Sequence, residues 1–248
     1  MTKELYYKEL PERLIASPIK SEHGINQSCY FVEETKEVFK RIESSTEMIR
    51  RYRYFSYLHS DVFVFPRTIV FKGKDHNDPD LELLGYLTPY IQGTVLGDLD
   101  RNVLISDMVN ALATVSTGIM HEICYPMIDL CDVNLGNMIY TPDKEIKIID
   151  TDLYEYSDID EPSVLFRYNI AEFNMDIFPF IFKAIQRVNL NEHTVGKKIY
   201  NLYREAASGN CRPENILSLL KDILEEAYQK EHKTMQDIDN SLALIRKK

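Results

Sequence analysis

Residues 128–139 read IDLCDVNLGNMI, and residues 148–152 read IIDTD. In the first stretch Asp132 is followed five positions later by Asn137, which gives the pattern D-x-x-x-x-N. The second stretch begins as an apolar run, which predicts a short strand that ends at Asp150. Two carboxylates and one amide therefore lie close to the ends of short elements.

The segment between these two stretches predicts a β-hairpin. Short apolar runs favour strands over 137–140 and 146–149. Residues 141–144 read TPDK, a polar sequence with proline that is typical of a turn. Such a hairpin brings groups that are distant in sequence to one point.

This set of side chains suits phosphoryl transfer from ATP. One carboxylate can orient an acceptor hydroxyl and take its proton, while an amide oxygen and a second carboxylate hold Mg²⁺. Oxygen ligands of this kind are the ones that Mg²⁺ prefers. The pattern predicts that Asp132 orients the acceptor and that Asn137 and Asp150 bind the metal.

The same residues resemble the catalytic loop and metal-binding segment of the protein-kinase-like superfamily. On this resemblance Asp132 matches the catalytic Asp, Asn137 the loop Asn, and Asp150 the Asp of the D-F-G segment. The step of 13 residues from Asn137 to Asp150 is close to the family's usual spacing. Gly136 before Asn137 resembles the atypical bacterial-type and small-molecule kinases.

Upstream residues extend the resemblance to the nucleotide site. Residues 38–40 resemble the family strand whose Lys binds the α- and β-phosphates, which makes Lys40 the candidate. Glu47 would be its partner on the next helix. Residues 84–91 resemble the strand and hinge that dock adenine, with Thr88 and Tyr90 as contacts. The resemblance implies ATP and Mg²⁺ as cofactors, and Asp176 as a structural acid of a core helix.

Several positions depart from the family pattern. Leu130 and Cys131 replace the His and Arg before the catalytic Asp, so control by a phosphorylated activation loop is not expected. Residues 150–152 read DTD and lack the Phe and Gly of D-F-G. The glycine-rich loop is reduced to Gly24, and no A-P-E motif follows. The sequence leaves two roles open for Asp152, which could be a third acid of the metal site or an exposed acid of the loop. It also leaves two roles open for Asn134, which could contact phosphate or shape the loop.

The patterns along the chain predict an α+β, two-lobed protein-kinase-like fold. Residues 1–92 would form a small antiparallel β N-lobe with one helix, and residues 93–248 a mainly helical C-lobe. In the N-lobe we expect strands at 14–16, 29–32, 38–42, 62–65, 68–71 and 83–88 and a helix over 45–59. In the C-lobe, helical spacing covers 96–121, 170–187, 192–207 and 213–230.

Composition limits the partners. The chain has 248 residues and a net charge of −10, and this charge argues against nucleic acid, whose binding draws on a basic surface. The longest apolar run, 177–182, is far below the roughly 20 residues that span a bilayer. Four scattered cysteines without a C-x-x-C pair suit reduced thiols, and residues 1–10 have no apolar core of a signal peptide. We expect a cytoplasmic protein that binds neither nucleic acid nor membrane.

The predicted function is ATP- and Mg²⁺-dependent transfer of the γ-phosphate to a hydroxyl acceptor, with Ser/Thr of a protein favoured. A small-molecule acceptor is the first alternative. The second is a pseudokinase that binds nucleotide or a partner without turnover, and nucleotidyl transfer is a third. Residues 150–152 also resemble the D-x-D start of a phosphatase-type α/β fold, but that fold needs further parallel strands, whereas the rest of the chain reads as helices.

Overall fold

Two compact units divide the chain at Gln92 and Gly93. The computed structural model describes residues 3–19, 28–42, 46–99, 111, 114–115, 118–170, 173, 222 and 229, without the side chains of residues 46, 47, 120 and 152. Within these residues the fold is mixed α+β with mainly antiparallel strand pairing. The described residues contain no helix with the length and apolar character needed to cross a membrane.

A five-stranded sheet forms the first unit. Its strands lie in the order β1-β4-β5-β3-β2, and the pairings are antiparallel except for β1 with β4, which is parallel. The strands are β1 (Lys3–Tyr7), β2 (Cys29–Val32), β3 (Glu37–Arg41), β4 (Thr68–Lys72) and β5 (Glu82–Pro89). Strands β2 to β5 confirm the sequence prediction, and β1 is an addition to it.

The sheet buries its central strands. Ile69, Val70 and Phe71 of β4 are fully buried. Because successive side chains of a strand point to opposite faces, both faces of the sheet are covered at β4. Phe39 of β3 and Leu87 of β5 pack with Val70 in one apolar cluster. This core fixes the position of β3, the strand that carries Lys40.

One ten-residue helix, α2 (Thr46–Phe55), lies between β3 and β4 and confirms the helix predicted there. Tyr52 and Phe55 are fully buried, which places one face of α2 against the core. Arg53 of the same helix donates from Nε to Glu4 Oε1 of β1 over 2.7 Å. The guanidinium of Arg53 lies 5.5 Å from the centroid of the Phe71 ring. The additional strand β1 therefore ties α2 to the sheet.

Two predicted strands of the first unit are wrong. Residues 14–16 belong partly to a short helix, α1 (Glu12–Ile15), which follows Pro11 at its N-cap and buries Leu14. Proline before the first turn and Glu12 within it are helix-start signals that outweigh the short apolar run. Residues 62–65 are buried but belong to no strand, because Ser60 Oγ accepts the N–H groups of residues 62 and 63.

The described part of the second unit contains two small sheets and helical segments. One sheet has the order β6-β8-β9, and the other pairs β7 with β10, all antiparallel. The strands are β6 (Thr94–Val95), β7 (Ile128–Asp129), β8 (Met138–Tyr140), β9 (Ile146–Ile148) and β10 (Glu155–Tyr156). The predicted hairpin is confirmed as β8 and β9.

The helix predictions for this unit are correct only in part. Leu96–Asp98 forms a 3-10 turn and Leu99 is extended, so the helix predicted from 96 does not begin there. Val115 is helical and buried, and Ile119–Cys124 forms a π-helix that runs past the predicted end. Residues 162–170 are helical, so that helix begins before the predicted residue 170. Most of the residues predicted as helices at 170–187, 192–207 and 213–230 lie outside the described part.

Candidate active site

The loop from Asp132 to Asn137 is held together by its own polar side chains. Asn137 donates from Nδ2 to the Asp132 carbonyl oxygen over 2.9 Å and to Asp132 Oδ2 over 3.2 Å. Asp132 adopts the left-handed backbone conformation, with φ of 53°, which Asp tolerates better than most residues. The predicted site residues Asp132 and Asn137 are therefore in direct contact, and the Asp132 side chain stays exposed.

Asn134 forms the centre of this loop. Its Oδ1 accepts the N–H of Gly136 over 2.9 Å and the N–H of Asn137 over 3.2 Å, which caps the 3-10 turn Leu135–Asn137. Its Nδ2 donates to Asp132 Oδ1 over 3.0 Å. Of the two roles that the sequence left open, the geometry has Asn134 shaping the loop.

The hairpin brings Asp150 next to Asn137. The pairing of Met138 with Ile148 continues by one step beyond the strands, where the Ile149 N–H donates to the Asn137 carbonyl over 2.8 Å. Asp150 follows directly and, like Asp132, has a left-handed backbone, with φ of 63° and ψ of 54°. Left-handed non-glycine residues are uncommon, and Asp132 and Asp150 are two of the five in the part of the chain that the structure describes.

A buried phenol, that of Tyr154, lies four residues after Asp150. Tyr154 follows the 3-10 turn Thr151–Leu153 and is 1% exposed. Burial raises the pKa of the Tyr154 phenol far above its usual range, and the nearby Cys131, Asp150 and Asp132 raise this pKa further. The negative charges of Asp132 and Asp150 therefore both add to the effect of burial in keeping the Tyr154 phenol protonated.

A buried asparagine, Asn169, fixes the chain just before the loop. It is 2% exposed, accepts the Leu130 N–H at Oδ1 over 2.9 Å and donates from Nδ2 to the Ile128 carbonyl over 2.8 Å. The same Nδ2 lies 3.6 Å from Cys124 Sγ. Asn169 is not among the residues that the sequence motifs predicted. A polar residue between apolar neighbours at the predicted start of a buried helix was the available signal.

The nucleotide-site candidates belong to the first unit. Lys40 is half-buried on β3, opposite Cys29 of β2 and Tyr86 of β5. A Cβ on Gly85 would lie 2.1 Å from the Lys40 carbonyl oxygen, so glycine is required where β5 passes Lys40. Glu47 lies in the first turn of α2, and its side chain is outside the described part.

The two adenine-site candidates lie at the end of the central strand β5, Thr88 within it and Tyr90 directly after it. Thr88 pairs with Val38 of β3. The Tyr90 N–H donates to the Lys36 carbonyl over 3.1 Å, and its half-exposed ring meets the Phe31 ring edge-on at 4.9 Å. The Tyr90 amide is therefore engaged within the sheet, and a bound adenine would have to use other groups of this segment.

The metal-site candidates are one amide and one carboxylate. In the described part of the chain, no group of three or more His, Cys, Asp or Glu side chains is arranged to hold a metal ion. Two protein oxygens suit Mg²⁺, which is usually held by one or two carboxylates, water and substrate phosphates. The side chain of Asp152 and all of Asp176 lie outside the described residues. The residues present fit a Mg²⁺ ion that arrives with a nucleotide.

No protein-family model matches this chain, and no curated protein matches it significantly.

Proposed function

We propose that the chain is an ATP- and Mg²⁺-dependent phosphotransferase with a two-lobed protein-kinase-like fold. Residues 1–92 would form the nucleotide-binding lobe and residues 93–248 the helical lobe. The observation that carries the proposal is the contact of Asn137 with Asp132, on a hairpin whose register brings Asp150 beside Asn137. The register supports the proposal because it brings the backbone of Asp150 beside the loop that carries Asp132 and Asn137.

In the proposed reaction Asp132 binds the acceptor hydroxyl. Each carboxylate oxygen of Asp132 accepts one amide N–H and has a further lone pair for the hydroxyl. The hydroxyl oxygen bonds to the γ-phosphorus, the bond from that phosphorus to the β,γ-bridging oxygen breaks, and ADP leaves. The hydroxyl proton passes to the Asp132 carboxylate.

Positioning and charge supply the remaining catalysis. Asn137 and Asp150 would hold Mg²⁺, and Lys40 would hold the phosphates. When bound, Mg²⁺ neutralises charge on the phosphates. Asn137 contributes through a fixed orientation, because its Nδ2 is engaged by Asp132. Preorganised groups of this kind account for much of the rate of phosphoryl transfer.

Ser/Thr of a protein is the favoured acceptor, and a small-molecule hydroxyl is the second candidate. The short connection after Asp150 supports the small-molecule acceptor. Only residues 151–161 separate Asp150 from the helical residues 162–170, which leaves little chain for a peptide-docking segment.

The test is product analysis with ATP labelled separately on the α- and γ-phosphates, with Mg²⁺ and with EDTA, in the presence of casein. Mg²⁺-dependent ADP with label on casein supports a protein kinase, and Mg²⁺-dependent ADP without labelled protein supports a small-molecule kinase. AMP with pyrophosphate would instead identify nucleotidyl transfer. Nucleotide binding without any product would favour a pseudokinase over a kinase that acts on protein or water.

A further inference from the structure

The amide of Asn134 is hydrogen-bonded at both of its ends. Its oxygen accepts two backbone N–H groups, from Gly136 and Asn137, and its nitrogen donates to the Asp132 side chain and carbonyl. Backbone N–H groups only donate and a carboxylate only accepts, so this arrangement defines which end of the amide is oxygen. In the reversed orientation the amide nitrogen would face the two backbone N–H groups, and the amide oxygen would face the oxygens of Asp132.

Gly136 makes room for this cap. A Cβ at Gly136 would lie 2.9 Å from Asn134 Oδ1, closer than such contacts normally come. The Leu135-Gly136-Asn137 sequence is therefore explained by the position of the Asn134 side chain, in addition to the family resemblance that it carries.

A chain of contacts leads from Asn134 to the metal-site candidate. Asn134 Nδ2 holds Asp132 Oδ1, and Asp132 Oδ2 in turn accepts Asn137 Nδ2. The nitrogen and the oxygen of an amide point in different directions from the same carbon. Because Asn137 Nδ2 points towards Asp132, Asn137 Oδ1 points away from Asp132. The orientation of the carboxylate that binds the acceptor therefore depends on Asn134. The orientation of the amide oxygen offered to Mg²⁺ depends on Asn134 in part, because Asn137 Nδ2 also donates to the Asp132 carbonyl over 2.9 Å.

We propose that Asn134 is a positioning residue for phosphoryl transfer, which fixes the Asp132 carboxylate and, through it, the Asn137 amide oxygen. This role rests on the proposed function. It differs from a phosphate contact, because both ends of the Asn134 amide are engaged within the loop. It also differs from simple capping of the 3-10 turn, which would require the oxygen of Asn134 and not its nitrogen.

Three variants of the full chain separate positioning from capping. Asn134→Asp and Asn134→Ser keep an oxygen that can cap the turn, since Asp and Ser are both good N-cap residues. Both lose the Nδ2 donor, and Asn134→Asp also turns a carboxylate towards Asp132. Asn134→Ala loses the cap as well. The assay is Mg·ATP turnover with water as the acceptor, alongside thermal unfolding.

We expect kcat to fall by about tenfold to a hundredfold in Asn134→Asp and Asn134→Ser, since small misplacements of catalytic groups have effects of this size. KM for ATP should stay within about twofold, and only Asn134→Ala should lose appreciable stability. Wild-type kcat in both capping variants would overturn the positioning role and leave the proposed function intact.

A second readout does not depend on turnover. In NMR spectra, Asp132→Ala should shift the side-chain amide signals of Asn134 and Asn137 and leave those of other asparagines unchanged. Unshifted Asn134 signals would overturn the inference even if the enzyme is active. If wild-type protein neither binds Mg·ATP nor turns it over but the signals shift, the proposed function fails, while the orientation of Asp132 by Asn134 holds.

Discussion

Asn169 Oδ1 accepts the N–H of Leu130 over 2.9 Å, two residues before Asp132. Both Asn169 and Leu130 are buried, and the nitrogen of the same amide satisfies the Ile128 carbonyl. A helical residue distant in sequence thereby fixes the strand that leads into the loop. The placement of Asp132 depends on this buried amide as well as on the contacts within the loop.

Removing this amide should destabilise the second unit. Asn169→Ala leaves the Leu130 N–H and the Ile128 carbonyl buried without their partner, at about 1–3 kcal/mol each. We expect unfolding to become easier by about 2–5 kcal/mol in urea titrations, and turnover to fall with it. Asn77→Ala, in an exposed turn, is the matched control and should change stability by less than about 0.5 kcal/mol. An unchanged free energy of unfolding in Asn169→Ala would contradict the role of this amide in holding the strand before the loop.

The ion pair of Glu4 with Arg53 should stabilise the first unit in a pH-dependent way. Burial tends to raise the pKa of Glu4, but hydrogen bonds from Arg53 and Tyr6 outweigh it and lower this pKa below the usual 4.5. A lowered folded-state pKa gives stability that is present above the unfolded value and is lost as the pH falls through the folded value. The stabilising contribution of Glu4 should therefore decline below about pH 4.5.

A double-mutant cycle of Glu4→Gln and Arg53→Met measures this pair. Glu4 is 18% exposed and Arg53 is 39% exposed, so we expect a coupling of about 1 kcal/mol at pH 7 that shrinks towards pH 3. The control cycle is Glu82→Gln with Lys72→Met, whose side chains are about half exposed, with an expected coupling near zero to about 0.5 kcal/mol at pH 7. Equal coupling in the two cycles would argue against the anchoring of α2 by β1.

Gly85 should be intolerant of any side chain. In Gly85→Ala the new Cβ would meet the Lys40 carbonyl oxygen at 2.1 Å, which forces β5 away from β3. We expect a loss of about 3 kcal/mol in unfolding free energy and weaker ATP binding through displaced Lys40. In Gly97→Ala the nearest contact is the Leu135 Cβ at 3.8 Å, so this control should be nearly neutral. Similar melting temperatures for the two variants would count against the close approach at Lys40.

Cys124 should be chemically silent in the folded protein. Burial raises the pKa of its thiol to about 12, and the reactive thiolate is therefore scarce at pH 8. Peptide mapping after iodoacetamide treatment should show the half-buried Cys131 labelled well before Cys124, which should react only in urea. Because the folded pKa is raised above the usual 9.0, folding should also lose stability as the pH rises from about 9 towards 12. Early labelling of Cys124 would refute its burial.

The sequence predicted best where local signals were strong. The alternating and apolar runs of β2 to β5 and the turn at residues 141–144 identify their elements directly, and the D-x-x-x-x-N pattern marks a loop that does bring Asp132 and Asn137 together. Strand β1 was missed because its stability comes from parallel pairing with β4, about sixty residues away, which no local pattern encodes.

Side-chain contacts that the apolar pattern does not encode explain the other failures. Residues 62–65 are as apolar as a strand, but the backbone N–H groups of Val62 and Phe63 donate to the Ser60 hydroxyl. Asn169 is a single polar residue in a helical segment, and its role depends on strand β7 arriving beside it. The sequence identified Asn134 and Asn137 as residues of the loop, but it did not predict the hydrogen-bond partners of their side-chain amides. Those partners depend on the left-handed backbone of Asp132, which sets the orientation of the side chains.

The most direct test of the central proposal is Mg·ATP turnover by the wild type, Asp132→Asn and the control Asp143→Asn. Asp143 is an exposed acid of the β8–β9 turn, so its substitution removes the same charge away from the loop. Loss of the carboxylate that takes the acceptor proton should lower kcat by about 10²–10⁴-fold in Asp132→Asn, with little change in melting temperature. Wild-type kcat in Asp132→Asn, or an equal loss in Asp143→Asn, would contradict the assignment of Asp132 as the acceptor-orienting residue.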